Sequence, residues 1–194
     1  MDKLLNYIMT ALYGDTEMDN DRKEIIRYGL ELTIMKIIFT ACAFGIALLL
    51  GEPISYLLFT AVFIPVRSLA GGYHASTHAH CFIESMGVVV LVCALMKLFD
   101  LNSAVFTVAG LVFAAVSAVV LWIISPVEHE NRPLPFDKKK KFKKQVRVYI
   151  LIFSAVLITL FVLNLTRFAL PIETALTVSA VLALLGLKKN HAAI

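Results

Sequence analysis

The sequence predicts an all-α integral membrane bundle of about six transmembrane helices, with both termini cytoplasmic. Of the 194 residues, 59% are hydrophobic and only 16% are charged. A soluble domain of this size shows roughly 45–50% apolar and about 25% charged residues. The excess is gathered into long apolar runs between short polar stretches, and mean hydropathy is +0.82. That is the pattern of membrane-spanning helices. A soluble core of this length would leave large apolar patches outside.

The elements are expected as follows. Residues 1–29 read as a cytoplasmic N-terminal segment. Within it Leu4, Leu5, Ile8, Met9 and Leu12 fall at helical spacing, which suits a short interfacial helix or an ordinary packed turn. The segment mixes acidic and basic residues and has no apolar h-region, so it does not read as a cleavable signal. A first span is expected at about Leu30–Leu50, with Lys36 able to snorkel to the surface. Gly51-Glu52-Pro53 is a tight turn, with Pro53 suited to the first position of a helix. The second apolar run, Ile54–Val66, is short for a span, which takes about 20 residues. It gives way to Arg67 and a polar stretch ending at Cys81, where such backbone is tolerated only if buried in protein or lining a wet cavity. The third span is expected at Phe82–Phe99 and the fourth at Ala104–Ile124, joined by Leu101-Asn102-Ser103. Residues 125–147 read as a Pro-rich, then basic, cytoplasmic loop. The fifth and sixth spans are expected at Val148–Leu165 and Phe168–Leu187. No internal repeat or low-complexity linker interrupts the chain, so residues 1–194 read as a single polytopic domain.

Net charge is +4, but placement matters more than the sum. Seven of the 18 Lys and Arg residues are Lys138, Lys139, Lys140, Lys141, Lys143, Lys144 and Arg147. The basic residues gather on alternate connections, so the positive-inside rule puts both termini and the 67–81 stretch at the cytoplasmic face of a multi-pass cell-membrane protein. A basic run can also bind nucleic acid. Here it lies between two spans, so no nucleic-acid partner is expected and the lipid bilayer is the natural one.

Of the three cysteines, Cys42 and Cys93 lie inside apolar runs, where cysteine behaves as a small hydrophobe. There is no CxxC pair and no disulfide framework. Cys81 differs, because the stretch from Arg67 to Glu84 holds three of the five histidines together with Arg, Cys and Glu. Ionisable groups near membrane depth are functional candidates by default. A thiol attacks as its thiolate, and a neighbouring imidazole can take its proton and later hand it to a leaving amine. Such a pair suffices for acyl transfer from a peptide. On one regular helix His74 and Cys81 would share a face but lie about 10.5 Å apart along the axis. Their contact therefore needs a bend, and Gly71-Gly72 just upstream permits one. His78, three residues before Cys81, is a rival base. The set His74, His78 and Cys81 would also serve as three zinc ligands. The residues alone leave a cysteine enzyme, a zinc-dependent membrane enzyme and a histidine-lined transporter component all open.

At these residues the sequence resembles a known family, AgrB, the accessory gene regulator membrane endopeptidase of Gram-positive quorum sensing. The likeness covers the whole chain in size and multi-span layout. Its specific part is Arg67-(x)3-Gly71-Gly72-x-His74-(x)6-Cys81, supported by Pro-x-Glu-His-x-Asn-Arg-Pro-Leu from Pro126 to Leu134. The resemblance implies that Cys81 is the nucleophile and His74 its general base, with no metal and no cofactor. It makes Arg67, Gly71 and Gly72 accessory positions. Arg67 would orient a substrate carbonyl or carboxylate, or else snorkel, and Gly72 would be a backbone requirement. Glu84, one turn past Cys81, would orient an imidazole or sit as a solvated carboxylate at a helix start. The implied substrate is an AgrD-like pro-peptide with an amphipathic leader, a middle segment with an internal Cys or Ser, and an acidic tail. The lysine run would anchor the loop at the anionic leaflet and attract that tail. A homodimer is the expected assembly.

Overall fold

A computed structural model describes residues 7–11, 20–73, 78–127 and 135–192, less the side chains of residues 20, 21, 78, 79, 101, 136 and 189–192. Beyond a helical turn at residues 7–11, six helices follow: α1 (Asn20–Leu49), α2 (Pro53–Ala70), α3 (His78–Leu101), α4 (Ser103–Ile124), α5 (Phe136–Val162) and α6 (Thr166–Ala192). Among the described residues, six helical segments are long and apolar enough to cross a membrane. Among the described residues there is no strand, only a lone parallel bridge between Gly71 and Val127. The chain divides into two compact units, residues 1–45 and 46–194.

In the first unit, α1 runs as one helix, and Thr33 and Thr40 return their hydroxyls to the carbonyls of Gly29 and Lys36, each at 2.8 Å. Polar side chains on an apolar helix are satisfied this way without a partner element. The helix starts well before the expected Leu30, because the charged residues 22–27 include good helix formers.

In the second unit, α1 ends on a left-handed Gly51 (φ +74°). Gly51 N–H donates to Leu48 O at 3.0 Å and Glu52 N–H to Ala47 O at 2.8 Å, the paired bonds of a Schellman cap. Pro53 then starts α2, as the turn residues predict. α2 reaches Ala70, well past the expected end at Val66, which gives it 18 residues and a length that can span. Its buried face is Ser55, Tyr56, Phe59, Val62, Val66 and Ala70, spaced three and four apart. Arg67 therefore sits in the last turn of a helix instead of opening a loop. At the other side of the corner, α3 begins at His78, so Cys81 is helical too.

The basic run also differs from expectation. A loop through residue 147 is corrected to helix, because α5 starts at Phe136. Lysine is a good helix former, and Asp137 in the first turn complements the helix dipole. The exposed lysines thus stand on the first turns of the same helix as the apolar run.

α6 is the centre of the second unit. Of its apolar window 56% is buried, against 33% at most for any other span. It packs most extensively on α4 and α2. Small residues make this possible: Ala169, Ala175, Ser179, Ala180, Ala183 and Gly186 let neighbouring backbones approach. Around it Phe59, Val66, Leu121, Val146, Ile150 and Leu176 form one apolar core. The large apolar side chains left exposed, such as Leu57, Val108, Val116, Leu151 and Ile158, lie on the membrane-spanning helices, where a lipid-facing surface is expected to be apolar.

Because α2 to α6 alternate in direction, one end of this bundle gathers the end of α2, the starts of α3 and α5, and the ends of α4 and α6. The opposite end is tied by charge. Glu52, 4% exposed, accepts from Ser55 Oγ at 2.6 Å and from Arg167 Nη2 at 2.9 Å, and lies 3.7 Å from Lys97 Nζ. Arg167 also bonds to Asp100.

Candidate active site

The chain leaves α2 in a corner at residues 71–73, and α3 begins at His78. Two glycines turn it: Gly71 at φ +71° and Gly72 at φ +112°, left-handed conformations that L side chains rarely adopt. Space closes the same positions. A Cβ on Gly71 would run into the Val127 carbonyl. One on Gly72 would lie 2.6 Å from Leu182 O and 2.8 Å from Ala183 Cα. Gly186 faces Gly72 from α6, and a Cβ there would meet the Gly72 backbone at 2.5 Å. The corner is packed backbone on backbone against α6.

Hydrogen bonds fix what the glycines allow. Val127 N–H donates to Ala70 O at 2.8 Å, and Tyr73 N–H donates to Leu182 O at 2.9 Å. The half-buried Arg67 donates through one terminal nitrogen to the Gly71 carbonyl and through the other to the Tyr73 carbonyl. Its planar fork spans the corner from inside the helix that ends there. The Cys81 side chain is exposed on the first turns of α3, and its carbonyl accepts from Ser85 Oγ at 2.7 Å. Glu84, one turn on, receives the Tyr73 hydroxyl at 3.4 Å. The Glu84 carboxylate, followed by partial burial and this hydrogen bond, pushes the Tyr73 phenol above its ordinary value.

The structure thus brings together Arg67, Gly71, Gly72, Cys81 and Glu84. His74 lies outside the described residues, as does the side chain of His78. Among the described residues no three His, Cys, Asp or Glu side chains cluster as a metal site. Cys42 and Cys93 sit elsewhere, one exposed on α1 and one buried on α3.

The two sequence motifs meet here. Val127, second residue of the Pro126–Leu134 motif, is bridged to Gly71, and residues 128–134 lie outside the described residues. Beside Val127 opens a cleft of about 340 Å³, floored by Ile123, Ile124, Pro126 and Leu187 and edged by Lys139 and Lys143. Ser125, buried, also lines it. Lys138, Lys140, Lys141 and Lys144 are exposed on the same helical rod.

Sequence reasoning missed several residues. Tyr73 gave no signal beyond its place between Gly72 and His74. Gly186 was hidden in an apolar run. Glu173 was visible, since a carboxylate inside a span is rare. It is buried on α6 against Gly110 of α4, where a Cβ would overlap its carboxyl group.

The profile of the family described as accessory gene regulator B matches residues 1–186. An AgrB-like protein of Clostridium perfringens (strain SM101 / Type A) is 27% identical over 156 residues, 78% of this chain and 72% of its own length. Accessory gene regulator protein B of Staphylococcus aureus (strain MW2) is 26% identical over 163 residues, 83% of each chain. The protein of the same name from Staphylococcus carnosus (strain TM300) is 26% identical over 140 residues, 72% of this chain and 71% of its own. No solved structure matches.

Proposed function

The chain belongs to the accessory gene regulator B family, and from that premise we propose that it is a membrane cysteine endopeptidase of quorum sensing. It cuts the acidic C-terminal tail from an AgrD-like pro-peptide and promotes closure of the middle segment into a thiolactone or lactone. The observation that supports this reading best is the corner itself. Arg67 holds the carbonyls of Gly71 and Tyr73, and Cys81 stands exposed on the first turns of the next helix.

In this mechanism His74 takes the thiol proton and the Cys81 sulfur attacks the carbonyl before the tail. The C–N bond breaks, His74 returns the proton to the leaving amine, and the tail departs. The middle segment is left as a thioester on Cys81. The peptide's own Cys thiol or Ser hydroxyl then attacks that thioester, which closes the ring and frees Cys81. Arg67 has two roles. It keeps the corner in one conformation, and its charge opposes the negative charge that develops during attack. A site that sheds water favours ring closure over hydrolysis.

The exposed lysines of α5 at this end of the bundle favour a cytoplasmic placement of the site and both termini. The cleft edged by Lys139 and Lys143 offers an apolar floor and a basic rim to the acidic tail.

The test is cleavage in reconstituted vesicles, with mass spectrometry following adducts. An acyl adduct on Cys81, with Cys81→Ala and His74→Ala both inactive, is the expected result. Full activity in Cys81→Ala sinks the reading. Loss of activity to chelators with bound metal would turn the assignment to a zinc enzyme using His74, His78 and Cys81.

A further inference from the structure

We propose that Tyr73 is a positioning residue for the Cys81 reaction, its hydroxyl docking the corner that precedes His74 onto Glu84 in the first turns of α3. The inference rests on the cysteine-endopeptidase reading above and adds a residue to it.

Contacts from three different helices converge on Tyr73. Its N–H donates to Leu182 O of α6 at 2.9 Å. Its carbonyl accepts from Arg67 of α2. Its hydroxyl donates to Glu84 Oε1 of α3 at 3.4 Å. Tyr73 is therefore a point at which the ends of α2, α3 and α6 are tied together. The first two contacts fix its backbone, and the third uses the side chain to reach the helix that carries the nucleophile. Residues three apart on a helix are neighbours, so Glu84 holds the turn on which Cys81 stands.

The chemistry suits the task. A tyrosine side chain is a stiff lever with two torsions and a polar tip. A phenol with its ordinary pKa of about 10 is a donor at neutral pH, and the Glu84 carboxylate raises it further. At 3.4 Å the bond is long for O–H···O, and hydrogen bonds of a substrate-free site commonly tighten when substrate binds. Glu84 is exposed, and exposed polar pairs contribute little to folding. The proposed effect is on rate, with the contact holding Tyr73 against the turn of α3 that carries Cys81. A displacement of about 1 Å in such a group can cost on the order of a hundredfold in rate.

The experiment is single-turnover acylation of Cys81 in the full-length protein in vesicles. The probe is a pro-peptide with an amphipathic leader, an internal cysteine and an acidic tail, chosen as one that the wild type cleaves. Tyr73→Phe and Glu84→Ala should each slow acylation on the order of tenfold, with KM unchanged. The double variant should be no slower than either single one, and Glu84→Gln, which keeps a carbonyl acceptor, should recover most of the rate. Detergent melting temperatures should stay at the wild-type value. A wild-type rate in Tyr73→Phe overturns the proposal, as do multiplicative effects in the double variant. A melting temperature that falls in step with the rate makes the contact structural and overturns it too. Each of these failures leaves the Cys81 adduct in place. Cleavage by the wild type with no adduct on Cys81 overturns the endopeptidase mechanism itself, and the positioning role with it.

Discussion

At one end of the bundle Arg167 joins Glu52 to Asp100, side chain to side chain. At the other, Arg67 gives its donors to two main-chain carbonyls, those of Gly71 and Tyr73. The same guanidinium fork does two kinds of work. Side-chain pairs hold helices to helices, and several partners share the load: Ser55, Lys97 and Arg167 all meet Glu52. A fork on carbonyls holds a loop in one backbone conformation, where glycines leave no spare room. The first arrangement should tolerate change in function while losing some stability. The second should lose function first.

The sharpest break between the two ends is chemical. Cys81→Ala should lower processing by at least about a thousandfold without moving the melting temperature, as expected when a nucleophile is removed from an exposed position. Measured cleavage and a detergent melt on the same sample check both halves. Gly72→Ala comes next, because a Cβ would lie 2.6 Å from Leu182 O on a backbone at φ +112°. It should abolish processing and also destabilise the fold by about 1–3 kcal/mol, read from the melt. Arg67→Lys keeps the charge but loses the fork. It should slow acylation by about ten- to a hundredfold, whereas Arg167→Lys at the ion-paired end should leave the rate alone.

Glu52→Gln tests the reverse. It removes a buried charge from Arg167, which is 44% exposed, so the cost is discounted to about 1–3 kcal/mol of stability, with acylation unchanged. A large rate effect from Glu52→Gln would show that the two ends are coupled. The smallest effect is expected from Lys138, Lys139, Lys140 and Lys141 changed together to Gln. Processing should fall only a few-fold, and the difference from wild type should shrink as salt is raised, since the lysines are exposed.

Much of this was legible in the chain. Hydropathy marks six spans because a bilayer forces backbone groups to bond within a helix, so every crossing needs a long apolar run. The turn at Gly51-Glu52-Pro53 was legible from residue chemistry alone. Helix ends were harder. Arg67, Cys81 and Lys138–Arg147 all read as loop because they are polar, yet they are helical, since local propensity and neighbouring packing continue each helix past its apolar run. Spacing alone did not choose between His74 and His78 as the base.

By itself, the sequence determined the membrane class, the number of helices long and apolar enough to cross, and the polar stretch on which the proposed chemistry rests. These follow from composition and order, which act locally along the chain. Only the tertiary structure decided what surrounds that stretch. Val127 reaches Gly71, Leu182 receives Tyr73 and Gly186 makes room for Gly72, all across long sequence distances. Such contacts depend on how helices pack, and in a bilayer packing is governed by fit between small residues and by hydrogen bonds, neither of which hydropathy records.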